Sequence, residues 1–288
     1  MTGILLIDKP SGWTSSDVVA KLRGVLRERR IGHSGTLDPM ATGLLVVFVG
    51  RATRAVEFAE SQEKRYRAGL RLGLETDTQD ITGHPIGGEK RDVSVEELEK
   101  ALASFHGEIE QIPPMYSAIK VKGQKLYEIA RRGGEVERQP RRITIHELAL
   151  LGRDGEDFLL DIRCSKGTYV RTLCHDIGRA MGCGGCMSSL RRTRAGAFRL
   201  EDAHTLDDVQ KAADAGQVES LLLPVDTLFD EEKATISGKA EAILRVGGQP
   251  GIKLPEGRYR IYSDKGEFLA LCKAEQGKLL TIKSFFEV

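Results

Sequence analysis

The segment Gly32-His33-Ser34-Gly35-Thr36-Leu37-Asp38-Pro39-Met40-Ala41-Thr42-Gly43 runs directly into the unbroken apolar stretch Leu44 to Val49. An apolar run bounded by turn residues reads as a strand buried on both faces, so the chain before it must turn on glycines and a proline. Pro39 stiffens the turn after Asp38, which lets the loop hold one carboxylate in a fixed pose above the buried strand. A nucleophile or base is one use of such a carboxylate. An Asx turn, in which Asp38 only accepts backbone N–H groups, is another, and local chemistry does not separate the two.

The flanking periodicities indicate what surrounds this strand. Gly3 to Ile7 reads as a strand, and Thr14 with Asp17 forms a capping box opening a helix with Val18, Val19, Leu22, Val25 and Leu26 on one face. Residues 64–73 alternate, with Tyr66, Ala68, Leu70 and Leu72 inward and Arg65, Arg67 and Arg71 outward. Ser94 with Glu97 opens a second capped helix carrying Leu98, Leu102 and Phe105. A helix is predicted over 124–132, ending at Gly133 and Gly134, then strands over 143–151 and 158–164 and a helix over 168–181. Strands and helices do not alternate regularly, so the class expected is α+β with a mixed, largely antiparallel sheet. A linker is expected between Asp226 and Lys233, followed by a small β domain with strands over 258–262, 268–272 and 279–282.

At 288 residues and 40% hydrophobic content the chain can fill a large domain and a small one. No apolar run approaches the ~18 to 20 residues of a membrane span, and Asp8 interrupts the first apolar run too early for a signal segment. A cytoplasmic protein with no membrane partner is expected. The five cysteines are odd in number and scattered, which argues for reduced thiols. Cys174, His175, Cys183 and Cys186 have zinc-ligand chemistry, but the adjacent Cys174 and His175 diverge by about 100° on a helix, so no metal is assigned. There is no phosphate-binding P-loop, no dinucleotide glycine motif and no deaminase zinc pattern. Net charge is only +1, yet it is segregated: residues 21–30 hold five basic residues against one acid, 117–145 eight against three, and 190–199 four against none. Such blocks suit a polyphosphate partner.

Every fixed position of 32–43 matches the pattern G-H-x-G-x-L-D-P-x-A-x-G, and the chain therefore resembles the TruB family of tRNA pseudouridine synthases. Further matching blocks follow in order. They are Leu6-Ile7-Asp8-Lys9-Pro10-Ser11-Gly12-Trp13-Thr14-Ser15, Lys64-Arg65-Tyr66, Thr76-Asp77-Thr78-Gln79-Asp80, Pro113-Pro114-Met115-Tyr116-Ser117-Ala118, Cys164 to Leu173, and Leu190-Arg191-Arg192-Thr193. The resemblance implies a pseudouridine-synthase-like catalytic domain over 1–228, with a basic RNA-binding insertion near 120–142, and a PUA-like RNA-binding domain over 233–288. It implies isomerisation of uridine 55 in the tRNA T-loop, with base flipping and no cofactor. Asp38 then matches the essential aspartate, Arg171 its arginine partner, and Tyr66 a tyrosine stacking on the target base. His33 matches a residue that occupies the vacated stack, and Lys9, Tyr169, Leu190 and Arg191 match substrate-binding positions. An arginine beside Asp38 is expected to lower its pKa. The expected partner is the T-stem-loop of tRNA, bound by a monomer without guide RNA. A catalytic subunit of a guide-RNA pseudouridylation complex and a tRNA chaperone are the alternatives.

Overall fold

The computed structural model describes residues 1–117, 119–121 and 123–286. Along the chain, β1 (Gly3–Lys9) leads into α1 (Ser15–Leu26), and β2 (Ile31–Ser34) and β3 (Thr42–Val49) bracket the Gly/Pro loop. A 3-10 turn and α2 (Val56–Glu60) precede β4 (Lys64–Leu72), after which β5 (Glu75–Thr76) and β6 (Pro85–Gly87) form a short hairpin. Next come α3 (Val95–Leu102), β7 (Gly107–Gln111), a second hairpin of β8 (Lys120–Val121) and β9 (Gln124–Lys125), and α4 (Leu126–Ala130). The long strands β10 (Arg141–Asp154) and β11 (Asp157–Cys164) lead to α5 (Val170–Ala180), β12 (Gly185–Ala195), β13 (Phe198–Arg199) and α6 (Leu206–Asp214). The chain ends with β14 (Glu232–Ile236), α7 (Gly238–Arg245), β15 (Gly257–Ser263), β16 (Phe268–Glu275) and β17 (Lys278–Ser284).

The main sheet runs β1-β3-β12-β4-β11-β10-β7, with β2 added to β3 and β13 to β12. It is antiparallel except where β12 meets β3. The α+β architecture read from the sequence therefore holds. On one face, Leu5, Ile7, Leu45 and Val47 pack under Val18, Leu22 and Leu26 of α1. Farther along that face, Tyr66, Leu70, Leu160 and Ile162 pack under Leu98 and Leu102 of α3 and Leu173 and Ile177 of α5. The Asp38 loop lies between these two helical layers, touching α1 through Ser15 and α5 through Arg171. The opposite face of β4 and β11 is an ion-pair ladder, Arg65 with Asp161 and Arg163 with Glu63 and Glu147. This is the outward arginine row that the alternation of 64–73 predicts.

Both capping boxes form as read. The helix expected over 124–132 is shorter, because Gln124 and Lys125 extend to pair with Val121 and Lys120. The helix expected over 168–181 begins only at Val170, since Tyr169 is an extended N-cap. Residues 226–233 are not a free linker. A 3-10 turn at Val225–Leu228 carries Asp226, whose carboxylate accepts from the Tyr262 hydroxyl at 2.5 Å. Phe229 packs on Phe58, Phe268 and Phe285. Those contacts join the four-stranded sheet β14-β15-β16-β17 to the other face of the main sheet, where Ile4, Leu6, Leu44 and Phe48 share one core with Leu271 and Phe285. Charges at Glu232 and Lys233 concealed β14, whose inward residues are Ala234 and Ile236. Among the described residues no helix is long and apolar enough to cross a membrane.

Because Phe229 is buried in a core shared by both sheets, Phe229→Ala should cost about 3–5 kcal/mol. Thermal unfolding followed by circular dichroism and by Trp13 fluorescence should still show one coincident transition at a lower midpoint. Two separated transitions in the wild-type protein would refute this coupling.

Candidate active site

The motif around Asp38 is held by the first turn of the protein. Lys9 is fully buried, and its Nζ donates to the carbonyls of Pro10 at 2.9 Å, Trp13 at 2.6 Å and Pro39 at 3.3 Å. Ser15 Oγ accepts from the Leu37 N–H at 2.9 Å and donates to the Leu37 carbonyl at 3.2 Å. Gly12 N–H adds a 2.8 Å bond to the Pro39 carbonyl, and Ser11 Oγ reaches Met40 O at 3.3 Å. The opening block and the Asp38 block are thus two sides of one clamp. Lys9 sits inside that clamp, and burial pushes its pKa down to about 8 against the attraction of Asp38. Gly43 closes the loop at φ +96°, where an added Cβ would lie 2.4 Å from the Arg192 carbonyl, so only glycine permits this approach of β3 to β12.

Arg171 meets Asp38 edge-on, Nε to Oδ2 at 2.9 Å and Nη2 to Oδ1 at 3.3 Å. Its side chain is only 6% exposed. Nη2 also donates to Tyr116 O at 2.8 Å and Nη1 to Thr78 O at 3.2 Å, while Asp80 Oδ2 stands 3.7 Å from Nη1. The turn supplying Thr78 and Asp80 passes through Gln79 at φ +63°, an uncommon conformation for a side-chain-bearing residue. It is fixed by bonds to Asp80 Oδ1 from Thr78 Oγ1 at 2.9 Å and Thr82 N at 3.0 Å, and by Thr172 Oγ1 to Gln79 Oε1 at 2.8 Å. Asp38 does not become more acidic beside this arginine. Burial raises its pKa above the ordinary 3.8 and outweighs Arg171, and the negative charge of Asp80 adds to the rise. The lowered pKa expected from the sequence is therefore corrected, because a carboxylate partly removed from water loses more hydration than one shared guanidinium returns.

Tyr66 and Leu190 pack with Leu37 and Ala41 of the loop, each 9% exposed, so the structure brings Asp38, Arg171, Tyr66, Leu190 and Lys9 together. Burial keeps the Tyr66 phenol protonated well above neutrality. His33 lies on β2 at the entry to the loop, and its Nδ1 is buried without a hydrogen-bond partner. Burial and the charge of Arg192 lower its pKa, so the imidazole is neutral at pH 7. Tyr169 caps α5, where its N–H donates to Gln111 Oε1 at 2.8 Å and its carbonyl accepts from Gln111 Nε2 at 3.1 Å. Arg191 is not gathered with the others. Alternation turns it to the opposite face of β12, where its fork closes on Asp8 at 2.7 and 3.1 Å. Sequence reasoning missed Asp80, although its block was recognised, and Arg192, which a period of two from Leu190 would have pointed inward. Among the described residues no group of three or more His, Cys, Asp or Glu side chains is gathered to hold a metal.

Residues 23–170 match the domain described as TruB family pseudouridylate synthase (N terminal domain), and 171–230 match the tRNA pseudouridylate synthase B C-terminal domain. A tRNA pseudouridine synthase B from Azoarcus sp. (strain BH72) is 44% identical over 280 residues, covering 96% of this chain and 92% of that protein. Another from Syntrophomonas wolfei subsp. wolfei is 44% identical over 289 residues, covering 95% and 94%. Among solved structures, an H/ACA RNP bound to a substrate RNA containing 2'-deoxyuridine has a chain similar at TM-score 0.74 and 27% identity, covering 99% of this chain and 85% of that one. The chain belongs to the TruB family of pseudouridylate synthases.

If Asp38 works ionised, acid removes activity by protonating it, and a raised pKa sets that loss at higher pH than an ordinary carboxylate would. The acid limb of the single-turnover rate should have its midpoint above 3.8. Asp80→Asn should move the midpoint to lower pH, since it deletes a charge that disfavours the ionised form. An unmoved midpoint would show that Asp80 does not act on Asp38.

Proposed function

We propose that this protein converts the uridine at position 55 in the T-loop of tRNA to pseudouridine. The coarser part of this reading, pseudouridylation of tRNA, rests on family membership and on relatives named tRNA pseudouridine synthase B at 40–44% identity over nearly the whole chain. The observation that carries the finer part is the Asp38–Arg171 pair beside a buried tyrosine and leucine. A fixed carboxylate against an apolar pocket is what a uracil ring and its C1′ need: one flat surface, one reacting oxygen. The reaction breaks C1′–N1, turns the uracil and forms C1′–C5. The C5 hydrogen leaves as a proton and N1 gains one, so atoms balance without a cofactor. Asp38 acts either as nucleophile or as the base that starts the elimination, and Arg171 holds its oxygens in place.

Reaching a base inside the T-loop requires flipping it out, at a cost of a few kcal/mol in lost stacking. A neutral His33 can occupy the vacated stack with less desolvation than a cation would need. Lys9, on this reading, serves substrate binding by shaping the loop, and Tyr169 and Leu190 line the approach. Residues 120–142 act as a basic RNA-binding insertion, with Lys122 of that region outside the described residues. The catalytic unit spans 1–228, with 233–288 as a PUA-like accessory grip on RNA. The protein works in the cytoplasm as a monomer without guide RNA.

Tritium release from 5-tritiated uridine in a tRNA transcript, with purified protein and no guide RNA, tests the reading. Loss of release on mutating uridine 55 is the expected control. Asp38→Asn should slow single turnover by at least about 10³-fold while tRNA affinity stays within a few-fold, because phosphate contacts dominate binding. A tRNA-folding role without chemistry predicts no effect of that substitution. Tyr66→Phe should bind tRNA normally and turn over more slowly, since stacking needs the ring and proton movement at C5 needs the hydroxyl or a water it orders. Equal single-turnover rates would remove the hydroxyl from the chemistry.

A further inference from the structure

Arg192 is 1% exposed, the largest fully buried side chain of the described residues. Its donors go to backbone carbonyls, Nε to Leu44 O at 2.7 Å and Nη2 to Gly35 O at 2.8 Å. Among the described residues no carboxylate lies within ion-pair distance of it. Its charged neighbours include the buried cations Lys9 and Lys64. A buried guanidinium without a counter-ion is costly, so packing alone gives no reason for it. Gly35 and Leu44 are the residues on either side of the Asp38 loop. Both glycines of that loop nearest β12 are shaped to Arg192. A Cβ on Gly35 would sit 3.1 Å from its Nη1, and a Cβ on Gly43 would sit 2.4 Å from its carbonyl.

On the same face of the sheet, Arg192 stands beside Tyr66. The two residues are register partners across β12 and β4, and Arg192 is the strongest charge acting on the Tyr66 hydroxyl. Arginine has donors and no acceptor, so a hydroxyl oxygen that meets it can only accept. The phenolic hydrogen is then left to point away from Arg192. We propose that Arg192 is a positioning residue that ties both ends of the Asp38 loop and turns the Tyr66 hydroxyl proton into the pocket. This deepens, and rests on, the reading of Tyr66 given under Proposed function.

The test compares full-length Arg192→Lys, Arg192→Met, Tyr66→Phe and the Arg192→Lys/Tyr66→Phe pair, using single-turnover tritium release at saturating tRNA transcript, filter-binding affinity and circular dichroism melts. Lysine keeps the charge but cannot reach two carbonyls and a hydroxyl as a planar fork does. The expected result for Arg192→Lys is a folded protein with tRNA affinity within a few-fold and a rate lower by about 10- to 100-fold. The pair should be no slower than the slower single variant, because both substitutions remove one shared function. Losses that multiply in the pair would overturn the inference, as would a wild-type rate in folded Arg192→Lys. Failure of both Arg192 variants to fold, with Tyr66→Phe folding normally, would also overturn it and leave Arg192 a folding residue only. A wild-type rate for Tyr66→Phe is a different outcome: it sinks the role of the Tyr66 hydroxyl itself.

Discussion

The guanidinium of Arg171, almost withdrawn from water, is the constraint on which the site depends. A buried arginine has to find acceptors around its whole rim, and those available here come from three separate stretches of chain: Asp38, the turn at Thr78 and Asp80, and the carbonyl of Tyr116. None of these acceptors belongs to regular structure. Each is a loop atom already braced by its own neighbours, and one side chain rooted on the first turn of α5 ties the three loops to one another. The helix fixes where these braced loops meet.

That arrangement also suits Asp38 to the role proposed for it, beyond mere pairing. Two carboxylates share one arginine, and the nearer of them is partly dehydrated. The cation fixes the direction in which the Asp38 oxygens point without quenching their basicity, because burial and Asp80 more than offset its pull. A fully compensated ion pair would be a better structural element and a poorer nucleophile or base. The strained backbone at Gln79 fits the same logic, since it delivers Asp80 and the Thr78 carbonyl to one guanidinium from a single tight turn.

Much of this was legible in the residues. The capping boxes at Thr14 and Ser94 and the alternation of 64–73 are local patterns with local causes, and the structure follows them. The resemblance put Asp38, Tyr66 and Arg171 in one site although Asp38 and Arg171 are 133 positions apart. What stayed hidden depends on distant partners. The burial of Lys9 could not be read locally, because its three carbonyl acceptors are unremarkable in sequence, one of them 30 residues away. The direction of the Asp38 pKa required knowing how much water the pocket excludes. The segment before β14 read as a linker because its acids mask Phe229, whose aromatic partners lie at 58, 268 and 285. Arg191 and Arg192 are adjacent and chemically identical, and only strand alternation sends one to Asp8 and the other into the core.

The position of β12 has a further consequence. It lies between β3 and β4, and among the described residues β4 otherwise pairs only with β11, while β3 otherwise pairs only with β1 and β2. A growing chain that has not yet produced residues 185–195 can therefore build only two separate ribbons, one carrying Lys9 and Asp38 and the other Tyr66. Strand insertion between distant partners is a slow, non-local event. The zipper that joins the ribbons also delivers Leu190 and Arg192, so the pocket comes into being in the same step that completes the sheet. Until that last inner strand is in place the sheet does not hold the Asp38 loop beside Tyr66, so RNA meeting the nascent chain on the ribosome finds no completed pocket.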